Sequence, residues 1–291
     1  MRYAYYPGCS LRGTGRSYEE SLLAVFRALD VEFDEIDDWN CCGATTYMSV
    51  DELTSYALAS RNLALAERNH SEIIAPCAAC YLVLNKTQRY IREYPSIKVV
   101  VTRALDTIGL EYHDRIKVRH PLDVLLNDVK PETIAAKVKV PLNGLKIAPY
   151  YGCQIVRPYS TFDDQRNPTS MERLLEACGA KAVYYPLKTL CCGGSQKGTL
   201  PEVGLDLVHY LLSEAQKNGA EVVVTVCPLC QFNLESFQEE AGERHHETAL
   251  PVLYFSQLLA FALGAPADTI GLQRGFVPVG PVFANKEIAY A

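Results

Sequence analysis

The stretch "LCCGGSQKG" (residues 190–198) sets two cysteines side by side ahead of two glycines, and "NCCGATTYM" (residues 40–48) does the same about half a chain earlier. Working outward from these pairs, the cysteines fall into one order twice. Cys9 is followed after 31 residues by Cys41-Cys42, after 34 by Cys77, and after two by Cys80. Cys153 is followed after 37 residues by Cys191-Cys192, after 34 by Cys227, and after two by Cys230. Ten of the eleven cysteines are thus duplicated, and neighbouring residues repeat with them: "YYPGC" faces "PYYGC", and "IIAPCAAC" faces "TVCPLC". A period of this kind marks an internal duplication.

The secondary-structure signals repeat as well. In the first half "RYAYY" and "VEFDEI" read as strands around a helix from Ser17 to Asp30 that sets Leu22, Phe26 and Leu29 on one face. The Cys-Cys-Gly loop follows, then a helix from about Val50 to Asn69 opened by a Ser49-x-x-Glu52 capping box, and the strand "EIIA" leading to Cys77. The second half runs "KIAPY", a helix from Pro168 with a Thr169-x-x-Glu172 box and Gly179 as its stop, "AVYY", the Cys-Cys-Gly loop, a helix from Pro201 to Asn218, and "EVVVTV". Each half is a β-α-β-α-β unit, and its β-branched runs suit strands buried on both faces. Crossovers of this length are right-handed and make the strands parallel. Every cysteine group then lies at the carboxyl end of a strand, on the edge where open α/β sheets place their sites.

The expected fold is therefore α/β, with two pseudo-twofold-related halves, each a small parallel sheet flanked by helices. The first repeat spans 1–143 with a helical insertion at about 81–109, and the second spans 144–291. "KVRHPLDVLLND" in the first half aligns with "PVLYFSQLLAFA" in the second. That pairing bears on "ALPVLYFSQLLAFALGAPA" (residues 249–267), which is uncharged over nearly the length of a membrane span. Pro251, Ser256-Gln257 and Gly264 cut it into a strand, an N-cap and a short helix, so it reads as a core element and not as a membrane contact.

Composition sets outer limits. The chain has 291 residues, 48% apolar and 21% charged, with a net charge of -6 and no basic runs, which excludes nucleic acid as a partner. "MRYAYYPGC" has the form of no leader peptide, and the expected compartment is the cytoplasm. Eleven cysteines in such a chain point to metal or redox chemistry and away from a disulfide scaffold. Zinc takes four ligands in a structural site, so a fifth thiol in each half is surplus. A cubane [4Fe-4S] cluster also takes four cysteines, with three in one short run that this chain lacks. The fifth thiol then either bridges two irons or stands free beside a cluster. Gly8, Gly43, Gly152 and Gly193-Gly194 serve tight turns or bring backbone N–H groups towards sulfur. Cys178 has no counterpart and completes the apolar stripe Met171, Leu174, Leu175, as a core thiol.

The pattern Cys-x31-Cys-Cys-Gly-x33-Cys-x-x-Cys, repeated as Cys-x37-Cys-Cys-Gly-x33-Cys-x-x-Cys, resembles the Cys-Cys-Gly (CCG) domain family, and among its members the B subunits of methanogen heterodisulfide reductases. The resemblance covers nearly the whole chain. It implies two non-cubane [4Fe-4S] clusters, one on Cys9, Cys41, Cys42, Cys77 and Cys80, the other on Cys153, Cys191, Cys192, Cys227 and Cys230. It implies an enzyme that reduces the mixed disulfide of coenzyme M and coenzyme B to two thiols by one-electron steps. The implied partners are a ferredoxin-like iron-sulfur C subunit, and a flavin-bearing A subunit that bifurcates electrons from a hydrogenase or formate dehydrogenase. The same family includes iron-sulfur electron-transfer subunits of lactate, glycolate and glycerol-3-phosphate dehydrogenases, an alternative that two complete cysteine sets and the absence of a ferredoxin run disfavour.

Attack by Cys77 or Cys227 on the disulfide, in the manner of a thioredoxin, is the alternative without clusters. The substrate's anionic ends direct attention to the cations near the cysteine loops, Arg12, Arg16, Arg157 and above all Lys197, which lies in the Cys-Cys-Gly loop itself. His120 reads as a structural histidine with a proton-donor role as the alternative, and His245-His246 as part of a charged loop. The eighteen tyrosines read as packing residues whose hydroxyls find partners.

Overall fold

Strands, helices and loops are described for residues 2–44, 46–245 and 249–289 of a computed structural model. The first sheet holds β1 (Arg2–Tyr5), β2 (Glu32–Glu35), β3 (Glu72–Ile74) and β4 (Lys117–Arg119) in the order β2-β1-β3-β4. The second holds β5 (Lys146–Tyr150), β6 (Lys181–Ala182), β7 (Val222–Thr225) and β8 (Val252–Tyr254) in the order β6-β5-β7-β8. All pairings are parallel, with Ala4 opposite Ile73 and Phe33 opposite Tyr3 in the first sheet, and Ala148 opposite Val223 in the second. The expected α/β class with two similar halves holds. Each sheet joins the three strands of its β-α-β-α-β unit to a fourth, β4 or β8, which lies in the aligned segments "KVRHPLDVLLND" and "PVLYFSQLLAFA".

The strand order matters for the site. In both sheets the chain leaves the first strand on one side and returns on the other, so the connections diverge between β1 and β3 and between β5 and β7. The crevice at such a switch point, beyond the carboxyl ends of the strands, is where open α/β sheets bind ligands.

Two compact units divide the chain: residues 1–12 with 31–121, and residues 13–30 with 122–291. The first contains the first sheet, and the second contains the second sheet. The helix Arg16–Ala28 belongs to the second unit although it lies in the first repeat of the sequence. It packs on the helix Phe255–Ala262. Tyr18 stacks on Tyr254 with centroids 4.6 Å apart, and the Ser21 and Ser256 hydroxyls hydrogen-bond at 2.6 Å. The boundary expected between the repeats lies at 143/144, whereas the compact units are cut after residues 12, 30 and 121.

Three helix starts differ from the sequence reading. The helix Glu52–Glu67 is capped by Asp51, not Ser49: the Asp51 carboxylate accepts from Thr54 N at 3.1 Å and from its hydroxyl at 2.6 Å. Ser49 lies inside the preceding helix Thr46–Val50, so it is Asp51 that stands at the helix start, where its negative charge also suits the positive helix end. Thr169 precedes the helix Ser170–Glu176 but caps nothing with its side chain. Asp163 takes that role, accepting from Thr169 N at 3.0 Å and Ser170 N at 2.8 Å. In the uncharged stretch the cap is Tyr254, whose N–H is taken by Gln257 Oε1 at 3.0 Å. That stretch forms β8 and the buried helix Phe255–Ala262, and no helix among the described residues is long and apolar enough to cross a membrane. The inserted region of the first half holds the helices Ala78–Glu93 and Pro95–Asp106, whose Ile91, Val101 and Leu105 pack with Tyr56 and Ala64 in a second small core. Cys178 is a buried core thiol, pushed up to about 12 by burial.

Candidate metal centres

The first group of thiols is assembled by three short segments of the first unit. Cys9 lies in the helical turn Gly8–Leu11 just past β1, and Cys41-Cys42 lie in the coil past β2. Past β3, Cys77 is the N-cap of the helix Ala78–Glu93 and Cys80 sits in its first turn. A Cys-x-x-Cys at this strand-to-helix junction brings both sulfurs to the carboxyl edge of the sheet, where a hydrogen bond from Cys80, assisted by the Cys80 and Ala79 N–H groups, lowers the Cys77 thiol to about 7 while Cys80 itself is raised.

The five sulfurs form a series of neighbours. The Cys9 and Cys41 sulfurs are 3.8 Å apart, and those of Cys42 and Cys80 are 3.3 Å apart. Cys41 interacts with Cys42, and Cys80 with Cys77, so the order is Cys9, Cys41, Cys42, Cys80, Cys77. The second unit repeats it as Cys153, Cys191, Cys192, Cys230, Cys227. All ten cysteines singled out in the sequence are therefore gathered, five in each unit.

Charge is uneven along each series. Hydrogen bonds from Cys42 and then Cys9 hold the Cys41 thiol far below its ordinary range, with the Gly43 N–H assisting. Cys191 is lowered in the same way by Cys153 and then Cys192, helped by the Gly193 N–H and by the positive charge of Arg157. The Gly193 and Gly194 N–H groups point at the Cys191 and Cys192 sulfurs from 3.4 Å. Donating to a neighbouring thiolate raises Cys9 and Cys153, while Cys42 is pushed up to about 12 by Cys41 and Cys192 to about 12 by Cys191. Cys41 and Cys191, both exposed, are thus the lowered thiols between raised neighbours, Cys9 and Cys42 in the first series and Cys153 and Cys192 in the second.

Glycine sets how closely backbone and sulfur approach. Gly8 and Gly152 occupy the same place in the two halves and both have left-handed backbone, at φ +70° and +68°. A Cβ on Gly8 would stand 2.8 Å from the Cys80 sulfur, and one on Gly152 would stand 3.0 Å from that of Cys230. Only glycine fits both the backbone and the sulfur.

Two tyrosines that the sequence reading took as packing residues hold the Cys-Cys loops. Tyr6, three residues before Cys9, donates its hydroxyl to Asn40 O at 2.7 Å, and Tyr150, three before Cys153, donates to Leu190 O at 2.6 Å. The carbonyl in each case belongs to the residue preceding the cysteine pair. Asn62 adds a bond to Asn40 O at 2.9 Å, and Asn233 binds Cys192 O at 2.8 Å. The matching offset in "AYYPGC" and "APYYGC" is the signal that singles out these two tyrosines. His120 is fully buried, with Nε2 2.9 Å from Pro76 O, and so supports the loop that carries Cys77.

The cations distribute differently. Arg12 is ion-paired with Glu35, and Arg16 with Glu20 at 2.9 Å. Lys197 is largely buried, ion-paired with Glu240 at 3.0 Å and placed over the Phe237 ring at 4.6 Å. Arg157 has no carboxylate partner among the described residues; its guanidinium donates to Thr189 Oγ1 at 3.4 Å. His246 lies outside the described residues, as does the side chain of His245. In the second unit a cavity of about 400 Å³ lies beside the helix Pro228–Ser236, lined by Gln231, Phe232, Glu235, Tyr254 and Arg274.

Among the described residues no three His, Cys, Asp or Glu side chains close to the spacing of a single-ion site. One tetrahedral ion takes four ligands, whereas a group of several metal atoms takes a longer series of thiols. The soft donor set, the backbone N–H groups aimed at sulfur and the two glycines packed against sulfur fit such a group.

Duplicated α/β sheets, each gathering five cysteines at its switch point, define a cysteine-rich repeat protein whose fold exists to hold thiols together. The cysteine-rich domain known as CCG matches residues 3–85 and 147–235, and the chain belongs to that family. Among relatives, the chain is 33% identical over 278 residues to the 8-methylmenaquinol:fumarate reductase membrane anchor subunit of Wolinella succinogenes, covering 94% of this chain and 96% of that one. It is 32% identical to a protein of Archaeoglobus profundus described as like the B subunit of heterodisulfide reductase, covering 93% of each. It is 30% identical to the B subunit of the ferredoxin/F(420)H(2)-dependent CoB-CoM heterodisulfide reductase of Methanosarcina acetivorans, covering 95% and 94%. A crystal structure of a hypothetical protein from Helicobacter pylori shares the fold with a TM-score of 0.77 and 16% identity; the match covers 96% of this chain and 52% of that one, so the chain spans about half its length.

Proposed function

We propose that the chain is the catalytic subunit of a heterodisulfide reductase, reducing the mixed disulfide of coenzyme M and coenzyme B to two thiols. The observation that carries this reading is the pair of equivalent five-thiol groups, one at each switch point. In this reading Cys9, Cys41, Cys42, Cys77 and Cys80 hold one non-cubane [4Fe-4S] cluster, and Cys153, Cys191, Cys192, Cys227 and Cys230 hold the other. When bound, such clusters supply one-electron steps, and two of them match the two electrons that a disulfide takes up with two protons to give two thiols.

The chain's own groups have defined tasks in this scheme. Gly8 and Gly152 leave room for the Cys80 and Cys230 sulfurs. The Gly193 and Gly194 N–H groups stabilise negative charge on sulfur. Tyr6 and Tyr150 fix the carbonyl ahead of each cysteine pair, and so fix where the pair points. Lys197 would bind a sulfonate or phosphate end of the substrate only by exchanging Glu240 for it, which makes Arg157 the readier cation. The cavity beside the helix Pro228–Ser236 has the size of a small-molecule site. The partners in this reading are the ferredoxin-like iron-sulfur protein and the flavoprotein of such a complex, linked to a hydrogenase or formate dehydrogenase, and its compartment is the cytoplasm.

A second reading, an iron-sulfur electron-transfer subunit, gains support from the Wolinella relative, whose name places it in a quinol-linked fumarate reductase. One experiment separates the two. Protein purified without oxygen is supplied with electrons from a low-potential dye and offered the coenzyme M–coenzyme B disulfide. Release of two thiols per disulfide supports the catalytic reading. Dye oxidation by a quinone with no thiol release from the disulfide supports the second.

A further inference from the structure

The two thiol groups have the same sulfurs in the same order, but the charge around them differs. In the second unit, Arg157 is tied to both outer segments of its group. Its backbone N–H donates to Cys153 O at 3.0 Å, and its guanidinium donates to Thr189 Oγ1, two residues ahead of Cys191. No carboxylate pairs with it among the described residues. The corresponding cation of the first unit, Arg12, three residues past Cys9, is ion-paired with Glu35. One group thus has a positive charge at its outer edge with no carboxylate partner among the described residues, and the other has a cation whose charge is offset by a carboxylate.

A nearby positive charge stabilises the more negative form of any group. Uptake of one electron makes a thiolate-bound metal group more negative by one unit, so the reduced form gains more from Arg157 than the oxidised form does. We infer that Arg157 makes the second thiol group the stronger electron acceptor of the two, so that the two sites are unequal in potential although alike in ligands. The inference rests on the proposal that each group holds a redox-active iron-sulfur cluster. Arg157 is exposed, so solvent screens the effect to about a tenfold change in the one-electron equilibrium, equivalent to ~59 mV. The consequence is directional: an electron delivered to the chain comes to rest first at the second group.

The test is a redox titration of the oxygen-free, cluster-loaded chain followed by electron paramagnetic resonance, on wild type, Arg157→Gln and Arg157→Lys. The expected result is two transitions in the wild type, with the one at higher potential moved to lower potential in R157Q and restored in R157K. Raising the ionic strength should lower that same transition in the wild type, because it screens an exposed charge, and this arm holds even if R157Q loads poorly. Unmoved transitions in fully loaded R157Q, equal movement of both, or failure of R157K to restore the wild-type value overturns the inference. Iron and acid-labile sulfide measured on the same samples keep the two claims apart: a wild type without iron defeats the cluster proposal itself, whereas a loaded protein with unshifted potentials defeats only the role of Arg157.

Discussion

Replacing Gly8 by alanine is the sharpest test of how the first thiol group is built. Two costs arise at once. Gly8 has φ +70°, where an L side chain costs about 1–2 kcal/mol. Its new Cβ would also stand 2.8 Å from the Cys80 sulfur, which is buried, rooted in the first turn of a helix and in contact with the Cys42 sulfur at 3.3 Å. Displacing a packed atom of this kind costs roughly 1–3 kcal/mol, so G8A should lose about 2–5 kcal/mol in all. Gly109 supplies the control within the same unit: it has φ +66° and nothing within 4 Å of its Cβ position. G109A therefore carries the backbone cost alone, about 1–2 kcal/mol. Urea denaturation of the metal-free chain, with the slope held common, reads the difference. In the metal-loaded chain, G8A should also lose iron from one group while keeping the other. A G8A chain no less stable than G109A, with its full complement of iron, would refute the close packing of backbone against sulfur.

Other consequences follow from the same geometry. D51A should lower stability by about 1 kcal/mol and S49A by far less, since only Asp51 caps its helix. Lys188 pairs with the half-buried Glu172 at 3.0 Å, and the Lys188 carbonyl accepts from the Tyr151 and Gly152 N–H groups ahead of Cys153. K188M should therefore cost roughly 1–3 kcal/mol by removing the charge partner of a carboxylate that keeps the hydrogen bond from the Tyr151 hydroxyl. Burial already raises the Glu172 carboxyl in the folded chain, so folding favours its protonated form and stability falls as pH rises through its range. That fall should be steeper in K188M when denaturation midpoints are compared across pH. In the native metal-free chain, a thiol reagent should react quickly with Cys41 and Cys191, which are exposed and lowered, and more slowly with the exposed Cys9 and the half-buried Cys153, which are raised. The remaining seven of eleven should react only on unfolding, and rapid labelling of Cys178 would contradict its place in the core.

The site was more legible in the sequence than the packing around it. Cysteine gaps of a little over thirty residues, each ending just past a β-branched run, carry the topology with them, because a right-handed crossover leaves little choice of edge. The helix Arg16–Ala28 shows the limit of such reasoning. Its stripe of Leu22, Phe26 and the following Leu29 says that one face is buried, but not that the partner is a helix more than two hundred residues later in the chain. Helix starts were ambiguous for a local reason: Ser49 and Asp51 are both good caps two residues apart, and Asp163 reaches the helix Ser170–Glu176 only through a folded loop. The roles of Tyr6 and Tyr150 depend on which carbonyl lies across the crevice, and that is set by strand order. Pairing of Lys197 with Glu240 likewise depends on how the turn ahead of the helix Pro201–Lys217 meets the helix Gln238–His245. Composition leaves that undetermined.

Metal and sulfide content of the chain purified without oxygen tests the central claim most directly. Two iron-sulfur groups on ten cysteines predict about eight irons and a comparable amount of acid-labile sulfide per chain, with no zinc. Cys42→Ser and Cys192→Ser should each remove iron from one group and spare the other. About two zincs and no sulfide per chain would contradict the account.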